Sequence, residues 1–123
     1  MEKGKALELQ VKEMLEAELV QGRLGILPSA AKVYHRKSYY SSERKSTIEI
    51  DVSLELFRPD ADESYFVWAW ECKDYQNSVP VDDIEEFHSK LEQIGLHKTK
   101  GTVACRHGFQ RSAISFAAKQ LRT

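Results

Sequence analysis

The chain has 123 residues, 41% hydrophobic and 30% charged, with 18 Lys and Arg against 19 Asp and Glu. This suits one hydrophobic core and leaves no room for a catalytic domain plus a separate recognition domain, so a single domain over 1-123 is expected. No run approaches the ~20 apolar residues that cross a bilayer, and Met1 to Lys5 leads into an amphipathic pattern without the apolar stretch of a secretion signal, so a cytoplasmic protein with no membrane contact is expected.

Apolar residues Leu7, Val11, Met14, Leu15 and Leu19 recur at three- and four-residue steps. They predict a helix from Lys3 to Leu19 that ends near Gly22. Lys32 to Tyr40 reads as a strand running into the polar turn Ser41 to Ser46. Ile48 to Leu56 alternates most clearly: Ile48, Ile50, Val52, Leu54 and Leu56 are expected on one face, with Glu49, Asp51, Ser53 and Glu55 on the other. Glu49 and Glu55 are expected at the surface. After a turn over Arg58 to Ser64, Tyr65 to Trp70 is apolar on both faces, as in a strand covered on both sides, and it ends in Glu71-Cys72-Lys73. Trp68 and Trp70 are expected to serve as packing.

Asp82 and Glu85 form a capping-box-like start to a second helix, whose stripe Ile84, Phe87, Leu91 and Ile94 runs to Gly95. Gly101 to Cys105 is a short strand, and Phe109, Ala113, Phe116, Ala117 and Leu121 predict a final helix. The order α-β-β-β-α-β-α implies an α/β fold, a mixed four-stranded sheet flanked by helices.

The two cysteines, Cys72 and Cys105, lie in strand-like runs and are expected as small buried thiols. The histidines, His35, His88, His97 and His107, show no metal-ligand spacing, which argues against a His-metal centre. Charge is unevenly spread. Residues 32–48 carry five basic and one acidic side chain, 49–92 three and thirteen, and 93–123 six and none. Two basic segments flanking an acidic middle suit carboxylates that hold cations between surfaces that neutralise phosphates, although a merely solvated surface has the same composition.

Hydrolysis of a phosphodiester needs a nucleophilic water and a sink for the charge of the pentacovalent phosphate, and a hard divalent cation supplies both. Asp51 on the polar face of one strand and Glu71 at the polar end of its neighbour are placed to share such a cation. Residues 71 and 73 project to one face of a strand, so Lys73 points at the same place while Cys72 points into the core. The ammonium of Lys73 is expected to orient the attacking water.

Asp51, followed twenty residues later by Glu71-Cys72-Lys73 at the end of an apolar strand, resembles the motif of PD-(D/E)XK nucleases. Within that superfamily the chain most resembles the Mrr-like restriction endonuclease branch, and the resemblance covers roughly residues 4–121. The opening Gly4-Lys5-Ala6-Leu7-Glu8 resembles the family's first helix with its acidic residue near the metal. Gly101-Thr102-Val103-Ala104, Gly108-Phe109-Gln110 and Ala113 resemble its last strand and helix. The sequence departs from the pattern at Ile50, where the motif has proline, and at Glu71, where the branch often has Gln.

The resemblance implies a restriction-endonuclease-like core and a magnesium-dependent DNA endonuclease in which manganese substitutes. Catalysis falls to Asp51, Glu71 and Lys73. Metal ligation falls to Asp51, Glu71 and the Cys72 carbonyl, with Glu8 either a further ligand or an ordinary solvated helix residue. DNA contacts are expected from Arg36, Lys37, Arg44 and Lys45, in a basic segment interleaved with His35, Tyr39 and Tyr40, and from Arg106, Gln110 and Arg111 around the start of the final helix. No small-molecule cofactor is expected. A chain this short reaches one strand of a duplex, so double-strand cleavage calls for a homodimer or a larger complex. A structure-specific junction or repair nuclease, and a non-catalytic nucleic-acid-binding domain on the same fold, are the alternatives.

Overall fold

The computed structural model describes residues 3–76 and 78–106. Helix α1 (Lys3–Val20) precedes strands β1 (Ala31–Ser41), β2 (Ser46–Leu56) and β3 (Phe66–Lys73), then helix α2 (Val81–Ile94) and strand β4 (Thr99–Cys105). The sheet order is β1-β2-β3-β4, antiparallel across the first two pairs and parallel between β3 and β4. This is the mixed α/β sheet the sequence implies. The expected helix over Phe109 to Leu121 lies outside the described residues, as does Asn77. Among the described residues no helix is long and apolar enough to cross a membrane.

In α1 the buried apolar residues are Leu7, Val11, Leu15 and Leu19, a strict four-residue step. Met14, expected on the same stripe, is 40% exposed. The helix ends as predicted: Gly22 takes a φ of 73°, the left-handed geometry that glycine adopts without steric cost, and its N–H bonds the Leu19 carbonyl. The capping box at Asp82 and Glu85 does not form. Helix α2 begins two residues earlier, with Pro80 as an extended N-cap that has no side-chain hydrogen bond, and Asp82 and Asp83 in its first turn instead complement the helix dipole.

The helices cover opposite faces. Leu7, Val11 and Leu15 of α1 pack with Val52 and Cys72, joined by Trp68 and Trp70; Phe87 and Leu91 of α2 pack with Ala69. Burial of each large aliphatic side chain contributes about 1.5–3 kcal/mol. Because β3 alternates, Trp68, Trp70 and Cys72 belong to the α1 layer while Val67, Ala69, Glu71 and Lys73 belong to the α2 layer.

Strand β2 does not keep one apolar face. Val52 and Leu54 pack with α1, whereas Ile48 and Ile50, of the same parity, pack with Phe87 and Leu91. Strand β1 switches at the same level: Val33 joins the α1 side, and Tyr39, two steps of alternation beyond His35, joins the α2 side. In the register the ladder pairs His35 with Val52 and Lys37 with Ile50 and skips the step between them, where Arg36 stands opposite Asp51. Arg36 there has a φ of 54°. A left-handed arginine costs about 1–2 kcal/mol, and one such residue in a strand turns the following side chains to the other face.

The switch brings Lys37 and Tyr39 onto the face of Glu55, which is 2% exposed and not at the surface as expected; Glu49 is exposed. Lys37 lies 2.6 Å from the Glu55 carboxylate, and the Tyr39 hydroxyl donates to it at 2.5 Å, so the buried charge is fully paired.

Gly101 of β4 lies directly beneath α2. A Cβ there would collide with Leu91 Cδ1 and stand 2.9 Å from Phe87 Cε2. Gly101→Ala is therefore expected to lower stability by about 1–3 kcal/mol through overpacking. Thermal unfolding followed by circular dichroism checks it, with a fall in Tm of roughly 4 °C for each kcal/mol.

Candidate active site

The ladder between β2 and β3 covers Leu56↔Phe66 to Val52↔Trp70 and then stops. One more step would pair Asp51 with Glu71. Beyond it Glu71, Cys72 and Lys73 pair only with Val103, Ala104 and Cys105 of β4. The amide of Cys72, freed on its β2 side, donates to Asp51 Oδ2 at 2.8 Å, so a side-chain carboxylate takes the place of a backbone acceptor. That hydrogen bond fixes the half-buried Asp51 carboxylate beside Glu71.

Glu71 is 4% exposed. Burial, followed by the hydrogen-bonding contact and charge of Asp51, pushes its pKa up to about 7, while Lys90 and Lys73 pull it the other way. Lys90 Nζ lies 3.4 Å from Glu71 Oε2. Lys73 is half-buried, which disfavours its ammonium, yet Glu71, Tyr75, Asp83 and Asp51 overcome this and raise its pKa above the usual lysine value. Its Nζ stands 5.9 Å from the centre of the Tyr75 ring. The Cys72 thiol points into the α1 layer, where burial and then the carboxylates of Asp51, Glu8 and Glu71 push it up to about 12. Such a thiol is inert.

Asp51, Glu71 and Lys73 are thus brought together as the strand geometry predicts. Glu8 is also buried, at 6% exposure, but its partners are Arg36 Nε and His35 Nε2, both 2.8 Å from Oε1. Among the described residues no three His, Cys, Asp or Glu side chains converge as a metal-binding group. The donors on offer are the two carboxylates of Asp51 and Glu71 with nearby backbone carbonyls.

The expected DNA-contact residues do not share one setting. Arg36 and Lys37 turn inward to the buried carboxylates of Glu8 and Glu55. Arg44 and Lys45 are exposed in the β1–β2 turn. Arg106 bridges Asp74, at 3.0 Å, and Gln10, at 2.8 Å, tying the end of β4 to the segment after β3 and to α1. Gln110 and Arg111 lie outside the described residues, with His107. Sequence reasoning missed Lys90, although it is the single Lys or Arg of an otherwise acidic α2 and flanks the apolar stripe at Leu91. It also missed Asp83, whose Oδ2 is buried with no hydrogen-bond partner among the described residues and whose charge reaches Lys73.

Residues 30–122 match a family model described as restriction endonuclease, the Mrr catalytic domain. No curated protein and no solved structure matches the chain.

The raised pKa of Glu71 fixes a sign for the stability of the metal-free protein. Folded Glu71 binds its proton more tightly than the unfolded carboxyl, so its contribution is fully present at low pH and is lost as pH rises from the ordinary carboxylate range through about 7. Urea unfolding in chelator between pH 5 and pH 8 should show this fall, and Glu71→Gln, which cannot ionise, should remove it.

Proposed function

The chain belongs to the restriction endonuclease family, and on that premise we propose that it is a magnesium-dependent DNA endonuclease of the Mrr-like type, with Asp51, Glu71 and Lys73 as its catalytic residues. The observation that carries the reading is a pair of carboxylates held together at the open end of the β2–β3 ladder, with a lysine ammonium on the same face. Two adjacent carboxylates repel each other when both are ionised, and a proton on Glu71 is one way to relieve that repulsion. A hard divalent cation is another. Magnesium takes few protein ligands and keeps several waters, which suits a site with two carboxylates and a carbonyl.

Asp51, Glu71 and the Cys72 carbonyl would hold the ion; manganese, with the same preference for oxygen, would substitute. When bound, the ion supplies positive charge to the phosphoryl oxygens and acidifies water. Lys73 donates hydrogen bonds to the attacking water, aims it at phosphorus and offsets charge on the pentacovalent phosphate. The Cys72 amide keeps Asp51 in place while this happens. Glu8, already paired with Arg36 and in hydrogen-bonding contact with His35, is left outside the ligand set.

Arg44 and Lys45, exposed at the β1–β2 turn, together with Gln110 and Arg111, are assigned to phosphate contacts. Arg36 and Lys37 are assigned instead to the buried carboxylates they face. Cutting both strands of a duplex takes a second copy of the chain, so the enzyme acts as a homodimer on that substrate. It acts in the cytoplasm and needs no small-molecule cofactor.

Supercoiled-plasmid nicking tests the proposal. Cleavage is expected with magnesium or manganese, should vanish on chelation, and should fall by about 100-fold or more in Lys73→Ala and Asp51→Asn. Metal-dependent cutting that survives Lys73→Ala refutes the role given to that ammonium, and wild type that binds DNA yet cuts no form of it refutes the enzyme.

A further inference from the structure

Arg36 is an unusual residue to find in a left-handed conformation inside a strand. Its backbone, at a φ of 54°, faces Asp51 at the step that the β1–β2 register skips, and both strands exchange their faces there. Glycine is the residue that accepts this geometry freely. An arginine adopts it at a cost, and the side chain of this one is held. Arg36 Nε lies 2.8 Å from Glu8 Oε1 and the guanidinium's second nitrogen 3.5 Å from Oε2, while His35 Nε2 shares Oε1 at 2.8 Å. Glu8 is carried by α1 between the core residue Leu7 and the buried Val11, so the anchor cannot drift. With 6% exposure it has little water to fall back on, and losing Arg36 would leave a buried charge.

We infer that the Glu8–Arg36 ion pair is a positioning device: it locks the left-handed turn of β1 opposite Asp51 and so holds the Asp51 carboxylate against the Cys72 amide and beside Glu71. Glu8 and Arg36 act through Asp51, and neither touches the reacting atoms. This rests on the assignment of Asp51 to catalysis, but its structural half stands apart from it. Without the turn, alternation would carry on through Arg36, and Ile48 and Ile50 would face α1 in place of α2.

The test compares Arg36→Gly with Arg36→Ala and adds Glu8→Gln. Both Arg36 variants lack the guanidinium, but only glycine keeps the left-handed geometry without cost, so glycine should rescue what alanine loses. The first readout is hydrogen exchange at the Cys72 amide in metal-free protein. Arg36→Ala and Glu8→Gln should lose about 10-fold or more of its protection and Arg36→Gly should retain more of it, judged against neighbouring β3 amides to separate local from global opening. The second is plasmid nicking, where kcat should fall by about 10-fold in Arg36→Ala with KM little changed, since small displacements of a reacting group act on the transition state. The third is manganese affinity by calorimetry, which should change in Glu8→Gln no more than in Arg36→Ala.

Equal Cys72 protection in wild type, Arg36→Ala and Arg36→Gly overturns the inference. So does a loss of manganese binding in Glu8→Gln that Arg36→Ala does not share, which would make Glu8 a metal ligand. Should wild type cut no DNA while the Cys72 amide responds as described, the enzyme reading fails and the positioning device stands.

Discussion

Two carboxylates from neighbouring strands are forced into one poorly solvated place, and most of the local structure is arranged around that repulsion. The β2–β3 ladder ends one step before Asp51 and Glu71 would become partners, and a single amide hydrogen bond, from Cys72 to Asp51, holds the gap in shape. Burying a carboxylate costs several kcal/mol unless charge or hydrogen bonds compensate. Lys90 from α2 and Lys73 from the same strand supply opposite charge, and a proton on Glu71 supplies the rest.

The same compromise extends into the sheet. A regular four-stranded sheet would give β2 one face per helix layer along its whole length. The turn at Arg36 breaks this, so the N-terminal half of β2 serves the α2 layer and the C-terminal half serves α1. The inward set of Ser53, Glu55, Lys37 and Tyr39 follows from the break, since polar groups then face the layer behind the site and must satisfy one another. The hydroxyl of Tyr39, buried and bonded to the Glu55 carboxylate, is held firmly protonated as a result.

Much of this was legible in the residues. Alternation along β3 put Glu71 and Lys73 on one face and Cys72 on the other, and the spacing from Asp51 matched antiparallel neighbours. The stripes of Leu7, Val11, Leu15 and Leu19 and of Ile84, Phe87 and Leu91 fixed both helices, since period and burial agree there. Elsewhere local rules failed for physical reasons. A two-residue period assumes extended backbone throughout, so a left-handed Arg36 was invisible and Glu55 was misplaced to the surface. Basic residues look alike whether they meet phosphate or a buried carboxylate, because the partner, Glu8 or Glu55, is distant in sequence. Asp82 and Glu85 have capping spacing, but the N-cap is Pro80, two residues sooner. Lys90 escaped notice because its partner Glu71 comes from another element.

Both tryptophans of the chain, Trp68 and Trp70, sit on β3, with ring centres 5.0 Å apart and planes inclined at 45°. Trp70 is bonded in sequence to Glu71, and Trp68 is pinned by an indole hydrogen bond to Thr102 and by Lys100 above its ring. Every indole chromophore in the chain therefore reports from the one strand that ends in the candidate catalytic residues. Intrinsic emission carries a built-in optical signal from that neighbourhood, and an attached dye would add nothing to its locality.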